Sequence, residues 1–239
     1  MVERLRHIAF AFLSVCAASG VHAQTEPRLQ PEHDLELWTS IALETRPFSL
    51  ADRPGEFGFR KNFRAGLEIG YRSNENLGNG KAFYTDLGLK YRVCKWLRAG
   101  MNHRYNFRDR YSKNSYRLDG SVTFRGEWKR FEGSYRTIFQ HEFIPAYRLR
   151  DVWRNRFAVS WRTKKFPIDP TVSVETFTGI WYKGNYFAGI RYDIGAQLEL
   201  GKEKNSTLDL VLRHDREIGV KAPLYRTIIS LAYEYYWKR

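Results

Sequence analysis

Apolar and polar side chains alternate with a period of two along almost the whole chain from residue 35 onward. Such alternation marks β-strands whose two faces meet different surroundings. No stretch carries a helical period. In 35–45, Leu35, Leu37, Ile41 and Leu43 oppose Glu36, Trp38, Ser40 and Glu44. In 57–72, Phe63, Leu67 and Ile69 oppose Arg60, Arg64 and Glu68. The run 83–93 sets Phe83, Leu87 and Leu89 against Asp86, Lys90 and Arg92, and 97–108 sets Leu97, Met101 and Tyr105 against Arg98 and Arg104. The charged face includes Arg117, Asp119 and Arg125 in 116–128, Arg136 in 131–143, and Arg156 in 153–161. The runs 170–177, 186–200, 206–215 and 225–237 add Glu175, then Arg191 and Asp193, then Asp209 and Arg213, then Arg226 and Glu234. Across these runs the apolar face holds a single formal charge, Lys61.

Most of these runs are longer than the five or six residues usual for strands in globular proteins. They suit strands that cross a hydrocarbon layer, which need roughly 9–11 residues. Aromatics gather at the run ends: Tyr71, Phe83, Tyr105, Phe107, Tyr116, Phe143 and Tyr225 toward one rim, and Tyr91, Trp128, Phe131, Trp161, Tyr235 and Trp237 toward the other. Two aromatic girdles around an aliphatic band predict an all-β fold, an antiparallel up-and-down transmembrane β-barrel of 10–12 strands over 35–237. Parity is open, because bacterial barrels have even numbers of strands. The runs from 57 to 237 close consistently among themselves. The run 35–45 is then one too many, so either a strand is hidden within 46–72 or 35–45 is a short irregular piece. Connections alternate between short (94–96, 129–130, 163–169, 201–205) and longer (73–82, 109–114, 144–152, 178–184, 216–223). Short turns belong to the periplasmic side of such barrels, so the last strand is expected to end in the periplasm. The competing reading is a soluble lipocalin-like barrel or sandwich, in which the apolar faces meet in a core.

Arg4 and Arg6 precede a short apolar run at 8–17, and Val21-His22-Ala23 offers a cleavage site. This is the tripartite pattern of an export signal, so 1–23 is read as a cleavable secretory signal peptide and 24–34 as an N-terminal periplasmic segment. A buried N-terminal helix is one rival. A lipoprotein signal at Cys16 is another, disfavoured by the bulky Val15 just before it. Cleavage leaves Cys94 as the lone cysteine, which excludes an intrachain disulfide and a cysteine-based metal cluster.

The 239 residues include 40 Lys and Arg against 26 Asp and Glu, a formal charge of +14. A narrow barrel is largely filled by its own side chains, and arginine forks bind carboxylates bidentately. The charged face therefore reads as an Arg–Glu/Asp lattice that holds the barrel shut. Its rival is a narrow porin-like channel whose cationic lining favours anions. Basic charge with interleaved aromatics is also a footprint of nucleic-acid binding. The export signal and the confinement of arginine to one strand face argue for no nucleic-acid partner. Expected partners are outer-membrane lipid, the barrel-assembly machinery through the C-terminal strand, and lipopolysaccharide at loop cations Arg110, Lys113, Arg148 and Lys221, unless these are simply solvated.

Of His33, His103, His141 and His214, the last three fall on the outward register. A lipid- or lipopolysaccharide-acting enzyme would need such a histidine beside a nucleophile and an orienting group. The only outward serine is Ser206, at the opposite rim, so no such set can be assembled and no catalytic residue is assigned. Phosphate loops, metal-ligand spacings and dinucleotide fingerprints are missing as well, and no cofactor or metal is expected.

Several segments in order carry a resemblance: Leu37-Trp38-Thr39, the stretch Phe83-Tyr84-Thr85-Asp86-Leu87-Gly88-Leu89-Lys90-Tyr91, Arg104-Tyr105, Trp153-Arg154-Asn155-Arg156-Phe157, and Val172-Ser173-Val174-Glu175. Over roughly 35–237 the chain resembles the uncharacterised bacterial outer-membrane β-barrels catalogued as domain-of-unknown-function family 2490. The resemblance implies a barrel and an outer-membrane location, and it brings no catalytic residues with it. Such barrels commonly finish on an aromatic residue, whereas here Trp237 is followed by Lys238 and Arg239.

Overall fold

A computed structural model describes residues 30–48, 62–108, 114–143, 151–163, 168–182, 184–201, 203 and 205–237. The signal peptide expected at 1–23 lies outside the described residues. The strands are β1 (Glu32–Thr45), β2 (Phe63–Asn74), β3 (Asn79–Arg92), β4 (Leu97–Arg108), β5 (Ser115–Trp128), β6 (Phe131–Phe143), β7 (Asp151–Trp161), β8 (Ile168–Ile180), β9 (Tyr186–Leu200), β10 (Ser206–Glu217) and β11 (Leu224–Trp237). Each coincides with one of the alternating runs. The two-residue period therefore located the strands, with described ends moved by a few residues, while 57–61 of the second run lie outside the described residues.

The eleven described strands form one closed barrel in sequence order, with β1 against β11 completing the ring. Closure leaves no strand edge with unpaired backbone groups. The count of eleven falls within the expected 10–12, and the antiparallel order is broken only by one parallel pair, at this seam. β1 is a full strand that pairs with β11 in parallel, Glu32 beside Leu224 through Thr45 beside Trp237. On its other side it pairs directly with β2, Trp38 opposite Arg72 and Thr45 opposite Ala65, so no further strand intervenes. An odd number of strands closes because one parallel pair absorbs the parity.

We call the end carrying 75–78 and 218–223 the upper rim, and the end carrying 93–96, 129–130 and Trp237 the lower rim. The long loop expected at 73–82 is a tight hairpin. β2 and β3 run through it to a turn at 75–78. There Glu75, Asn76 and Leu77 hold φ of 52°, 53° and 70°, in the left-handed region. Among the described strands, β1 and β2, whose facing ends lie at the lower rim, are separated by the most residues. The expected contrast in loop length between the rims is thus largely lost. The parallel seam also starts β1 at the upper rim, opposite the C-terminal end, so residues 32–34 of the expected N-terminal segment are strand.

One strand face points into the barrel and the other away from it. Outward, Ile41 and Ile194 are each 66% exposed and Leu87 is 57% exposed, while inward Glu36 is fully buried and Glu175 is 2% exposed. Aromatic rings pair outside at both rims. Tyr71 meets Phe83 at 5.0 Å and Tyr116 meets Phe143 at 4.7 Å above. Below, Trp128, Phe131 and Trp161 stack in sequence at 6.4 Å. Inside, Gly70 lets the Tyr84 ring lie flat across the neighbouring strand, because a Cβ there would collide with that ring.

Candidate functional site

The inward side chains divide into a packed upper half and an open lower half. In the upper half Trp38 enters the lumen from β1. Its indole N–H donates to Glu36 Oε2 at 2.6 Å, and Lys81 Nζ donates to the other oxygen at 2.7 Å. Arg72, Arg191 and Arg213 stand over the Trp38 ring at 4.1, 5.5 and 5.4 Å. Tyr84 lies between Arg72 and Arg104 and donates its hydroxyl to Glu68 at 2.6 Å. Arg104 holds Asp86 and Arg117 holds Asp119, both at 2.8 Å. On β7 to β11, Arg191 grips both oxygens of Asp215 at 2.5 and 2.7 Å. Glu175 receives Arg154 at 2.9 Å and Arg191 at 3.4 Å. Asp193 receives Arg156 at 3.0 Å and Arg213 at 3.4 Å, and Arg226 reaches Asp215 at 3.3 Å. Inward Ile138 and Ile228 are buried in the same half. Charge-assisted hydrogen bonds and cation–π contacts thus fill this section.

The lower half encloses a cavity of about 900 Å³. Lys90, Arg98, Arg125, Arg136, Arg156 and Arg162 supply cations to its wall, against Glu132, Asp169 and Glu199. A smaller space of about 320 Å³ shares Lys90, Arg98, Arg125 and Gln197 with it and extends to Glu44, Arg64, Arg92 and Glu234. Some of these charges are paired. Glu44 takes Arg64 at 2.6 Å and Lys90 at 2.5 Å. Glu132 takes Arg125 at 3.2 Å and Arg162 at 2.6 Å. Arg162 stands just beyond β7, and its bonds to Glu132 and Glu127 hold its guanidinium above the ordinary arginine value. Asp209 lies beside Gln197, and Glu234 lies beside Glu44.

Residues 36–218, most of the chain, match the model of the family described as protein of unknown function, DUF2490. The chain belongs to this family. No curated protein matches it. The DUF2490 match begins within β1 and stops just past β10, so β11 lies beyond it.

Within this DUF2490 barrel every described residue assigned to the lumen faces inward, and Arg60 lies outside the described residues. The sequence reading missed Tyr84 and Phe177 as inward rings. Phe177 sits 5.1 Å from the guanidiniums of both Arg154 and Arg191. In the upper half the charged residues pair across neighbouring strands. Below, Arg92 donates to the Asn62 side-chain carbonyl, at 2.9 and 3.0 Å, in place of a carboxylate. Arg92→Leu is accordingly expected to cost about 1 kcal/mol, the net value of an ordinary hydrogen bond. Urea unfolding of the refolded barrel measures it, and a much larger loss would mean that a carboxylate is left stranded.

On the outer face His103 stands 6.3 Å from Tyr116, and His214 stands 6.1 Å from Tyr225. His141 Nδ1 lies 2.6 Å from Asp151 Oδ1. Asp151 escaped the sequence reading because 144–152 read as a loop, whereas β7 begins at that residue and faces it against His141. No serine, threonine or cysteine hydrogen-bonds His141 among the described residues, so this base–orienter pair has no nucleophile. No group of three or more metal-ligating side chains forms among the described residues either.

Proposed function

We propose that this protein is an integral outer-membrane β-barrel, exported by its N-terminal signal, with an electrostatically plugged lumen and no enzymatic activity. The observation that carries the reading is the inverted distribution of the side chains. Large apolar residues form the outer surface, and the carboxylates are walled in behind them. Water would reward the opposite arrangement, whereas lipid rewards this one. A closed ring of strands satisfies every backbone group that faces hydrocarbon. Two pairs of outward polar groups also satisfy each other. Tyr135 donates to Asn155 at 2.8 Å, and the Trp153 indole N–H donates to Thr137 at 2.7 Å. The lower rim, where the C-terminal strand ends, faces the periplasm, so Glu32 at the start of β1 lies on the outer side and not in a periplasmic segment as expected for 24–34.

The cation-rich lower cavity favours a second reading, a narrow anion-preferring channel. Bilayer recording of the refolded protein separates the two. Silence is expected from the plugged barrel, and steady conductance would replace the plug with a pore. Release of the protein into the soluble periplasmic fraction would end both. Cys94, half-buried in the lower turn between β3 and β4, reports orientation. A membrane-impermeant maleimide is expected to leave it unlabelled on intact cells and to label it once the outer membrane is permeabilised. Labelling on intact cells would reverse the barrel.

A further inference from the structure

We propose that the lower cavity is a binding site for a small ligand bearing a phosphate or carboxylate group, held by Arg98 and Arg136. The inference goes beyond the plugged-barrel reading and stands whether or not the barrel conducts.

The register supplies the first observation. One row of inward residues climbs around the barrel from strand to strand: Arg92 opposite Arg98, then Thr123, Arg136, Arg156 and Glu175. It continues through Arg191, Asp215, Arg226 and Asp34. From Arg156 upward, cations and carboxylates alternate strictly. From Arg92 to Arg156, four arginines occur in five strands with no acid among them. Within this row, the alternation that neutralises the upper stretch loses its acidic members in the lower one.

The second observation is the state of the two arginines in that arc. Arg92 has Asn62 and Arg156 has Asp193. Among the described residues Arg98 and Arg136 form no ion pair, and the Nε of each is buried without a hydrogen-bond partner. Arginine is always charged, and an enclosed, unpaired guanidinium is costly. Both line the same cavity of about 900 Å³, within the range of small-molecule pockets. Between and beside them stand Thr123, Ser121 and Ser134, small hydroxyl residues that leave room and can hydrogen-bond an oxyanion. The two arginines flank Thr123 on adjacent strands, so their backbones lie about 10 Å apart, two strand spacings. An oxyanion between them supplies the missing negative charge and takes bidentate guanidinium bonds.

The test uses the full mature chain refolded in a neutral detergent, with inorganic phosphate as the probe and sodium chloride of equal ionic strength as the control. Phosphate is expected to raise the thermal unfolding midpoint above the chloride control and to give a saturable isotherm by calorimetry. Arg98→Gln and Arg136→Gln should each weaken that affinity at least tenfold, while Arg226→Gln, in the plug, should leave it unchanged. Thr123→Glu guards against variants that fail to fold. It places a carboxylate between the two arginines, so it should raise the midpoint without phosphate and abolish the phosphate effect. A short-chain phosphatidic acid below its micellar concentration distinguishes a lipid headgroup from a free anion. Binding of that lipid with none of inorganic phosphate would assign the site to a headgroup. No difference between phosphate and chloride, with no binding of the lipid, would overturn the proposal. So would a phosphate effect that survives in Thr123→Glu. Conductance and fractionation decide the membrane reading separately, so the two failures are distinguishable.

Discussion

Glu175→Ala is expected to destabilise the barrel by about 3–5 kcal/mol, the cost of removing one partner from a buried ion pair. Glu175 is 2% exposed and accepts from Arg154 and Arg191. Without it Arg191 keeps Asp215, but Arg154 is left with Gln140 at 3.2 Å and the Phe177 ring. Two guanidiniums then face each other in a packed section with one carboxylate fewer. Denaturant unfolding of the refolded protein, followed by the loss of heat-modifiable mobility on a gel, measures the effect. A midpoint equal to that of the wild type would mean that water fills this section and that the plug is not packed.

Leu89→Arg should impair assembly clearly on the outer-membrane reading. Leu89 lies in β3 on the outer face, 46% exposed, with Ala65 and Met101 as its lateral neighbours. An outward arginine costs about 2–4 kcal/mol at the midplane and less toward the interface, and Leu89 lies between the centre of β3 and Tyr91 of the lower girdle. On a surface facing water the same change would be neutral or would improve solubility. The measurement is the amount of folded protein in the outer-membrane fraction beside the wild type. Normal accumulation of Leu89→Arg would place this face in water and remove the membrane reading.

The strands and their two faces are legible in the amino-acid sequence because the alternation of period two is local. Phe83, Leu87 and Leu89 face out and Asp86, Lys90 and Arg92 face in wherever the strand sits, since successive side chains point oppositely. Trp38 illustrates the strength of that rule. It is a large apolar ring, yet its parity puts it with Glu36 and Glu44, and it stands inside the barrel under three arginines. The rule fails at the strand ends, where alternation is interrupted. The 75–78 hairpin reads as a long loop, and Asp151 is lost in another. The candidate site is legible only as a set of charged residues. Their division into a packed upper half and an open lower half is invisible in the sequence, because each pair joins residues from different strands.

The amino-acid order thus settled the all-β class, the positions of the strands and the inward or outward sense of each side chain, because these depend on residues two positions apart. The parallel seam, the odd count and the choice of which arginines receive a carboxylate came from three-dimensional pairing. Glu32 meets Leu224 across nearly the length of the chain, and Arg98 and Arg136 lack the acids that Arg191 has. Register around a closed ring is a property of all the strands together. A one-residue slip in any of them would turn its charges to the other face, so no single stretch of sequence carries that information.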